Sequence, residues 1–400
     1  MPRLSIAYGA DAPLEITGDD VARLTGPEGR LGEAASRLVA AALAAPTAGP
    51  PLAAHVVAGD RAVMAIAGAV PQEREVHAAV AGCLAGAGVD DPLVLAAPPL
   101  DPPLGRTGPA PFSASRFDPD VDAATSYLAA DAEGRPLYVA RALVDADVVI
   151  GTGDWSWDAT LGGRGLDGEL WPGFGRRNCR HDLLRAVARR GRHALADWRQ
   201  SLQEITWQLG VCASLRLVAG RGGGLAAACF GLPDAAAREA RAAAAAWCPQ
   251  VDAAADVTIA TLSDPNGDFD LVTRAVAAAA RVTTPDGIVC IASRTAAAPG
   301  PVLVRARQSV PLDRLVHEAV AGDDPVLVAS AVQARLFVRA LGDRRLVLLT
   351  DLDEAAVEEA EFTRADEPGD VSRLAARADR VLVLEEADRM LPGLSDRATG

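Results

Sequence analysis

Residues 141–182 of the chain are RALVDADVVIGTGDWSWDATLGGRGLDGELWPGFGRRNCRHD. The mostly apolar residues 146–150 predict the end of a buried parallel strand, because such strands are covered on both faces. At 151–175 this strand gives way to a loop rich in glycine, aspartate and tryptophan, and an arginine-rich helix follows. Open α/β sheets bind ligands where strands end and helices begin. The stretch therefore predicts a binding crevice beside this loop.

Strand and helix patterns alternate along the rest of the chain, which favours mainly parallel sheets. The predicted fold class is α/β, with two domains that each hold a mainly parallel sheet flanked by helices, and with a crevice between them. A change of composition near Pro249 predicts the boundary, so that the domains are 1–250 and 251–400. In the second domain a polar loop, 263–270, also follows a predicted strand and precedes a helix.

The run GRGGGLAA, residues 220–227, has a glycine spacing close to that of dinucleotide-binding loops. That kind of site needs a helix directly after the glycines, whereas strand-like residues flank this run on both sides. The pattern therefore predicts a tight hairpin turn. Elsewhere the sequence predicts a helix at 123–131, a strand at 325–329 and a proline-rich surface loop at 98–111.

Composition narrows the classes of chemistry and of partner. The 400 residues are 50% hydrophobic but only 4% aromatic, so the core must be built from alanine, valine, leucine and isoleucine. All 39 residues of the lysine-plus-arginine total are arginine, which excludes Schiff-base and other lysine chemistry. The formal net charge of −14 argues against a nucleic-acid partner, which requires a basic surface.

The chain carries no signal that would send it to a membrane or through one. Its N-terminal residues alternate polar and apolar character, and its apolar runs are too short to span a bilayer. The six cysteines are dispersed without a CxxC pair or metal-ligand spacing, so reduced thiols and no metal site are expected. These features predict a cytoplasmic protein with no membrane partner.

The two polar loops hold most of the candidate site residues. In and after the loop 151–175 these are Asp154, Asp158, Arg164, Asp167, Glu169, Arg176, Arg177 and His181. In the loop 263–270 they are Ser263, Asp264, Asn266, Asp268 and Asp270. Aspartate and asparagine also cap helices and form turns, which is the commoner role for any one of them taken singly.

The order and spacing of several segments resemble the nickel-pincer lactate racemase family over nearly the whole chain. The opening YGADAPLEITG is similar to the family's "YGDG" start, and RFDPDVDAATSYLAADAEGRPLYVARALVDADVVIGTG to its His-Asp and "DADL.I" region. GDWSWDATLGGRGLDGELWPG is similar to its "EPH..AGFSGGRKS..PG" loop. ADVTIATLSDPNGDFDLVTRAVAAAARVTTPDG is similar to its segment with conserved aspartate, glutamine and lysine.

The resemblance implies a two-domain fold whose family members tether a nickel-carrying pyridinium pincer to a lysine. In that family a histidine also ligates nickel, and two further histidines exchange protons with a 2-hydroxy acid. In this chain Phe117, before Asp118, and Trp155, after Asp154, stand at the positions of the two acid–base histidines. The tether position holds Gly168, or Gly165 when the glycine pair is used to align the loop.

Other positions of the family's pattern have also changed. Asn178 and Cys179 stand at the metal-ligating histidine, with His181 two residues away, and Arg274 and Ala277 stand near the family's glutamine and lysine. Thioamide tethering requires a lysine amine, and the acid–base step requires a base at the α-carbon. We therefore predict the family's fold with its racemase chemistry lost, and no cofactor.

Three hypotheses about function remain open at this point. The first is a protein that binds a small anionic metabolite, such as a hydroxy acid, in the interdomain crevice. The second is an enzyme with replaced acid–base chemistry in that crevice, and the third is a working 2-hydroxy-acid racemase. Candidate ligand contacts are Arg164, Arg176, Arg177, Asp264 and Arg274. No catalytic residue is assigned, and the candidates are Asp118, Asp154, Asp158 and His181.

Overall fold

The structure of the protein is a computed structural model that describes residues 3–9, 13–98, 114–130, 134 and 136–395. The strands are β1 (Arg3–Ala7), β2 (Pro13–Thr17), β3 (Val21–Leu24), β4 (Ala62–Ile66), β5 (Leu93–Ala96), β6 (Ser115–Arg116), β7 (Thr125–Ala130), β8 (Pro136–Ala140), β9 (Val148–Asp154), β10 (Trp157–Asp158), β11 (Gly163–Arg164), β12 (Ala213–Ala219), β13 (Leu225–Gly231), β14 (Gln250–Val251), β15 (Ala255–Thr261), β16 (Thr283–Ala292), β17 (Arg345–Leu349), β18 (Thr363–Arg364), β19 (Val381–Leu384) and β20 (Gly393–Leu394). The α-helices are α1 (Gly32–Ala44), α2 (Glu73–Gly86), α3 (Arg141–Val144), α4 (Arg177–Arg190), α5 (Ala194–Gln208), α6 (Pro233–Ala243), α7 (Phe269–Ala280), α8 (Pro301–Arg307), α9 (Leu312–Gly322), α10 (Pro325–Leu341), α11 (Glu354–Glu359) and α12 (Pro368–Ala375).

The first of two six-stranded sheets has the strand order β13-β12-β9-β4-β5-β6. All neighbours in this sheet are parallel except β12 and β13, which form an antiparallel hairpin. Buried side chains of α1 and α2 cover one face of the sheet. The strand predicted to end at residue 150 is β9, which is buried at all seven residues but continues to Asp154, into the segment predicted as a loop.

The second sheet is wholly parallel, with the order β18-β17-β16-β15-β19-β3. On one face it packs against the β1–β2 hairpin and α12, and on the other against α7 and α10. Its edge strand β3 comes from the N-terminal part of the chain and pairs with β19. The boundary predicted at residue 250 stays a prediction.

The helix α7 lies at the centre of the molecule. Each of its twelve residues is buried, and seven of them are alanine or valine, so neighbouring elements can approach closely. Asp268 begins the helix by accepting hydrogen bonds of 3.1 Å from the backbone N–H groups of Asp270 and Leu271. The largest core cluster joins α7 and α10 to side chains of α4 and α5. Apolar packing therefore links residues before position 250 with residues after it, and we call these two parts of the chain the N-terminal and C-terminal halves.

The predicted α/β class with two mainly parallel, helix-flanked sheets is confirmed. The glycine run forms the predicted turn between the paired strands β12 and β13. Gly220 and Gly224 lie so close to the backbone of Gly29 that a Cβ at either position would overlap it, so both positions require glycine. All six cysteines are free thiols. Within the described part of the chain, no helix is long and apolar enough to cross a membrane.

Two local predictions are wrong. The segment 123–131, predicted as a helix for its alanines, is mostly strand β7, which pairs with β8 and sets Tyr127 edge-on against Tyr138. The segment 325–329, predicted as a strand, is the start of α10, where the Asp324 carboxylate caps the backbone N–H of Val326 at 2.9 Å. The predicted loop 98–111 lies almost wholly outside the described residues.

Candidate functional site

A cluster of buried charges lies where the polar loop after β9 meets α7. The Arg274 guanidinium is 2% exposed, and its Nε is 3.4 Å from Oδ2 of Asp158, which is 1% exposed. The Asp158 carboxylate also accepts hydrogen bonds from the Thr160 backbone N–H (2.9 Å) and hydroxyl (2.5 Å). The structure therefore brings two of the predicted site residues into direct contact across the halves.

Three more aspartates surround this pair, and we call Asp158, Asp167, Asp270, Arg274 and Asp388 the charged cluster. Burial alone would lower the pKa of Arg274, but the four carboxylates outweigh it and raise the pKa. The arginine is therefore held firmly in its charged form.

The Asp270 carboxyl has the most perturbed acidity in the cluster. Burial raises its pKa to about 6, although a 2.7 Å hydrogen bond from the Gln333 amide opposes the rise. Nearby Asp268 adds to the shift, and Arg274 reduces it. Asp270 therefore changes protonation state near neutral pH while it remains only 7% exposed.

The ends of strands from both sheets converge on this cluster. Asp154, the last residue of β9, lies 3.8 Å from the guanidinium of Arg389, which follows β19. Asp388 accepts two 2.7 Å hydrogen bonds, from the backbone N–H and the hydroxyl of Ser263 after β15. These contacts place charged side chains where open α/β sheets bind ligands, but here the side chains bind one another.

Two predicted site residues lie on the surface in turns. Asp118 is exposed and accepts a 2.9 Å hydrogen bond from the backbone N–H of Asp120. Asp264 is exposed and accepts a 3.0 Å hydrogen bond from the backbone N–H of Asn266. Both bonds are typical of aspartate in turns.

The three residues around the start of α4 are each matched by a carboxylate. Arg176 stacks on the Tyr138 ring at 3.8 Å and pairs with Asp122 at 3.0 Å. Arg177 pairs with Asp120. His181 lies with Nε2 at 2.7 Å from an Asp323 carboxylate oxygen. The structure does not bring these three side chains into the charged cluster, and their predicted roles stay predictions.

Arg164 belongs to a second group of buried charges, on the far side of the loop. It pairs with Glu169, whose carboxylate also lies 4.0 Å from the guanidinium of Arg216 on β12. Burial raises the pKa of Glu169, but the guanidiniums of Arg164, Arg216 and Arg199 outweigh it and lower the pKa. Glu169 is therefore ionised at neutral pH.

The positions that the resemblance assigns to the acid–base histidines are filled by apolar core. Phe117 is 5% exposed and packs against Phe174, with ring centroids 5.9 Å apart. Trp155 is 3% exposed and lies edge-on to Trp157 at 4.8 Å. Neither ring can take up or release a proton at a substrate carbon.

Of the two positions that the resemblance offers for the tether, Gly168 leaves no room for a lysine side chain, whereas a Cβ at Gly165 would lie 3.3 Å from the Ser156 hydroxyl oxygen. Gly168 has a φ of +81°, and a Cβ there would lie 2.5 Å from Arg216 Nη1 and 2.8 Å from the Asp154 carbonyl oxygen. The cavity that Asp167 and Glu169 line beside Gly68 measures about 10 Å³, roughly the room for one water molecule. Residues at these positions do not fit a nickel-pincer nucleotide.

A larger cavity, of about 400 Å³, lies between the halves on another side of the loop. Thr160 and the turn after α4 line it from one half, and α7 and α10 from the other. Its charged or titratable lining residues are Arg192, His193, Arg281 and Arg339. We call this cavity the basic pocket, since no aspartate or glutamate is among the described residues that line it.

The three guanidiniums of the basic pocket lie close together. Burial lowers the pKa of Arg281, Cys248 opposes this shift, and the guanidinium of Arg192 adds to it. Arg339 lies against Gly191, the residue before Arg192. Neither Arg192 nor Arg339 forms an ion pair with any described residue, whereas Arg281 Nε donates a 2.6 Å hydrogen bond to the Pro392 carbonyl. Such a group is suited to carboxylate or phosphate oxygens.

The sequence alone did not point to the arginines of the basic pocket. Arg192 lies in an arginine-rich run that is typical of a solvated helix face, Arg281 follows an alanine-rich helix pattern, and Arg339 lies within the last turn of another helix. Arg281 and Arg339 lie at or near helix C-termini, which favour cations in any case. Only the packing of α7 against α10 and α4 brings them together.

Together, the two helix-flanked sheets and the crevice between them define a two-domain α/β protein with the lactate racemase fold. The structure matches that of the lactate racemase apoprotein from Thermoanaerobacterium thermosaccharolyticum with a TM-score of 0.73 and 14% identity, over 98% of this chain and 100% of that one. It also matches a protein from Thermotoga maritima with a TM-score of 0.58 and 12% identity, over 91% and 97%. The predicted resemblance is thus confirmed for the fold. No protein-family profile and no curated protein matches the sequence.

The buried Arg274 should be essential for stability. Replacing it in Arg274→Met leaves the surrounding aspartates without their cation, so we expect a loss of about 3–5 kcal/mol in the free energy of unfolding. Urea denaturation measures this loss. The exposed Arg377→Met is the matched control and should change stability by less than about 0.5 kcal/mol. A loss in Arg274→Met as small as in the control would contradict the role given to the cluster.

Asp270 should make stability depend on pH. The pKa of Asp270 is higher in the folded chain than in the unfolded one. The wild type therefore loses stability as the pH rises from about 4 to about 6, and this loss persists at higher pH. Asp270→Asn removes this loss and should be more stable by about 3 kcal/mol at pH 8, but not at pH 3. Thermal denaturation across this range tests the difference, with the exposed Asp286→Asn as control. Equal pH profiles for wild type and Asp270→Asn would rule out the raised pKa.

Proposed function

We propose that this protein has the lactate racemase fold without nickel-pincer racemisation, and that it acts by binding a small anion in the crevice between its halves. The loss of the chemistry is supported by Phe117 and Trp155, which occupy the acid–base positions as buried core. It is further supported by the absence of lysine from the chain and by the backbone at Gly168, which leaves no room for a side chain. No resident cofactor or metal forms part of the proposal.

The observation that carries the binding proposal is the unmatched charge of the basic pocket. Three arginines and a histidine surround about 400 Å³, a volume suited to a small metabolite, in a chain whose net charge is −14. Mutual repulsion of guanidiniums costs free energy, which the helix C-termini offset only in part. An anion with two or more oxygens would bridge Arg192, Arg281 and Arg339 and remove that cost.

A second candidate function is an enzyme with replaced acid–base chemistry. The pKa of about 6 at Asp270 favours it, because a carboxyl that titrates near neutral pH can both take up and release a proton. The short hydrogen bond from Gln333 and the burial of Asp270 favour a structural role instead. We rank this candidate below anion binding for that reason.

Loss of the racemase chemistry predicts two results. After co-expression with the cofactor-synthesis enzymes, nickel measured by mass spectrometry should stay at the level of an unrelated control protein. Incubation of the purified protein with either lactate enantiomer in D2O should leave that enantiomer unconverted by chiral chromatography and its α-proton in place by NMR. Nickel uptake would favour the working racemase, and deuterium at the α-carbon without nickel would favour the acid–base enzyme.

Anion binding predicts saturable uptake of inorganic phosphate or citrate, with a Kd of about 1 mM or below by calorimetry. The double variant Arg192→Gln/Arg339→Gln should weaken it by about tenfold or more, because it removes two charge-assisted contacts. Arg377→Gln, which is exposed and lies far from the pocket in sequence, serves as the control. Binding that is absent, or equal in wild type and double variant, would refute the proposed site.

A further inference from the structure

A groove of about 780 Å³ lies within the N-terminal half, between the end of α5 and the start of α6. We call it the α5–α6 groove. Its walls include the apolar side chains Leu202, Val211 and Leu232. Trp207, at its rim, is 81% exposed. Large apolar surface that water reaches in this way is typical of binding sites.

Charged side chains line the buried end of the groove. Arg216 reaches it from β12 with only 6% of its surface exposed, and donates a hydrogen bond to the Gly168 carbonyl. Arg164 and Glu169, from the polar loop, form an ion pair beside it. The groove thus has an apolar mouth and a charged floor.

Positive charge is in excess at this floor. Arg199 on α5 donates a 2.6 Å hydrogen bond to the Arg164 carbonyl, so three guanidiniums share the one carboxylate of Glu169. The pKa of Arg216 is lowered to about 10, mainly by burial, with Glu169 opposing the shift and Arg164 adding to it. At the rim, Asp234 and Arg238 carry opposite charges, so together they do not change the net charge of the groove.

Two donors at the floor lack an acceptor. The Nε atoms of Arg164 and Arg216 are both buried, and within the described chain no atom accepts a hydrogen bond from either. A buried charged group that lacks a hydrogen-bond partner destabilises the structure, because it has given up its bonds to water. A floor with surplus cations and unmatched donors is therefore incomplete by itself.

We infer that the α5–α6 groove binds a small molecule with an apolar or aromatic body and a carboxylate group. The carboxylate would accept hydrogen bonds from Arg216 and Arg164, and the body would lie along Leu202, Leu232 and the Trp207 ring. This site is separate from the basic pocket, with which it shares no lining residue. The inference therefore does not rest on the proposed function.

The test uses phenylacetate as the probe and phenylacetamide, its uncharged analogue of equal shape, as the comparison. Calorimetry on the full chain should show saturable binding of phenylacetate within about 10 mM and binding of the amide about tenfold weaker or less. Trp207→Gln, an exposed substitution that should not disturb folding, should weaken phenylacetate binding about fivefold or more. Leu31→Gln, also at an exposed apolar residue (60%), is the matched control and should bind as the wild type does.

Arg216→Gln tests the floor and should abolish phenylacetate binding. If that variant does not fold, Trp207→Gln and the amide comparison still decide. The inference is overturned by absence of saturable binding, by equal affinity for acid and amide, or by unchanged affinity in Trp207→Gln. Phosphate binding measured beside it should respond to Arg192→Gln/Arg339→Gln and not to Trp207→Gln, so each site can fail without the other.

Discussion

The ion pair between Arg274 and Asp158 is the contact on which the meeting of the two halves depends. It joins the loop after β9 to the central helix α7 at positions that are almost completely shielded from water. A buried ion pair rarely stabilises a protein more than apolar packing of equal volume does. Removal of one member, however, leaves the other as an unpaired buried charge. With further aspartates around Arg274, removal of its guanidinium would leave several buried carboxylates without a nearby cation where the two halves meet.

The same region keeps the backbone form predicted for a binding loop but holds other side chains than the resemblance implies. The loop after β9 still ends a buried strand, still carries its glycines and still precedes an arginine-rich helix. Trp155 and Phe117 nevertheless turn the expected proton-transfer positions into core, and charged side chains close most of the space at the sheet ends. Open space instead borders α7 and α10 on one side of the loop, and α5 and α6 on another. The candidate binding surfaces therefore lie away from the ends of the strands.

Much of the architecture could be predicted from the sequence, because patterns among neighbouring residues determine it. β9 begins with the apolar residues Val148 to Ile150, and the glycine run is flanked by strand-like residues. The helix expected at 123–131 failed because alanine content says little against the pairing of β7 with β8. The contact of Asp158 with Arg274 links residues far apart in the sequence, so no spacing rule could reveal it. Arg216 was missed for a related reason, since a charge within a strand pattern carries no sign of its burial.

The pairing of β3 with β19 has a consequence for how the protein is made. Val21 and Val381 are neighbours in the sheet, yet a ribosome completes the whole first sheet between them. The β19 edge that β3 covers therefore closes only late in synthesis, after β3 itself has waited without its partner. Loop closure over such a separation is slow, and unpaired strand edges invite association with other chains. A nascent chain of this topology therefore keeps a sheet edge open until its synthesis is nearly finished.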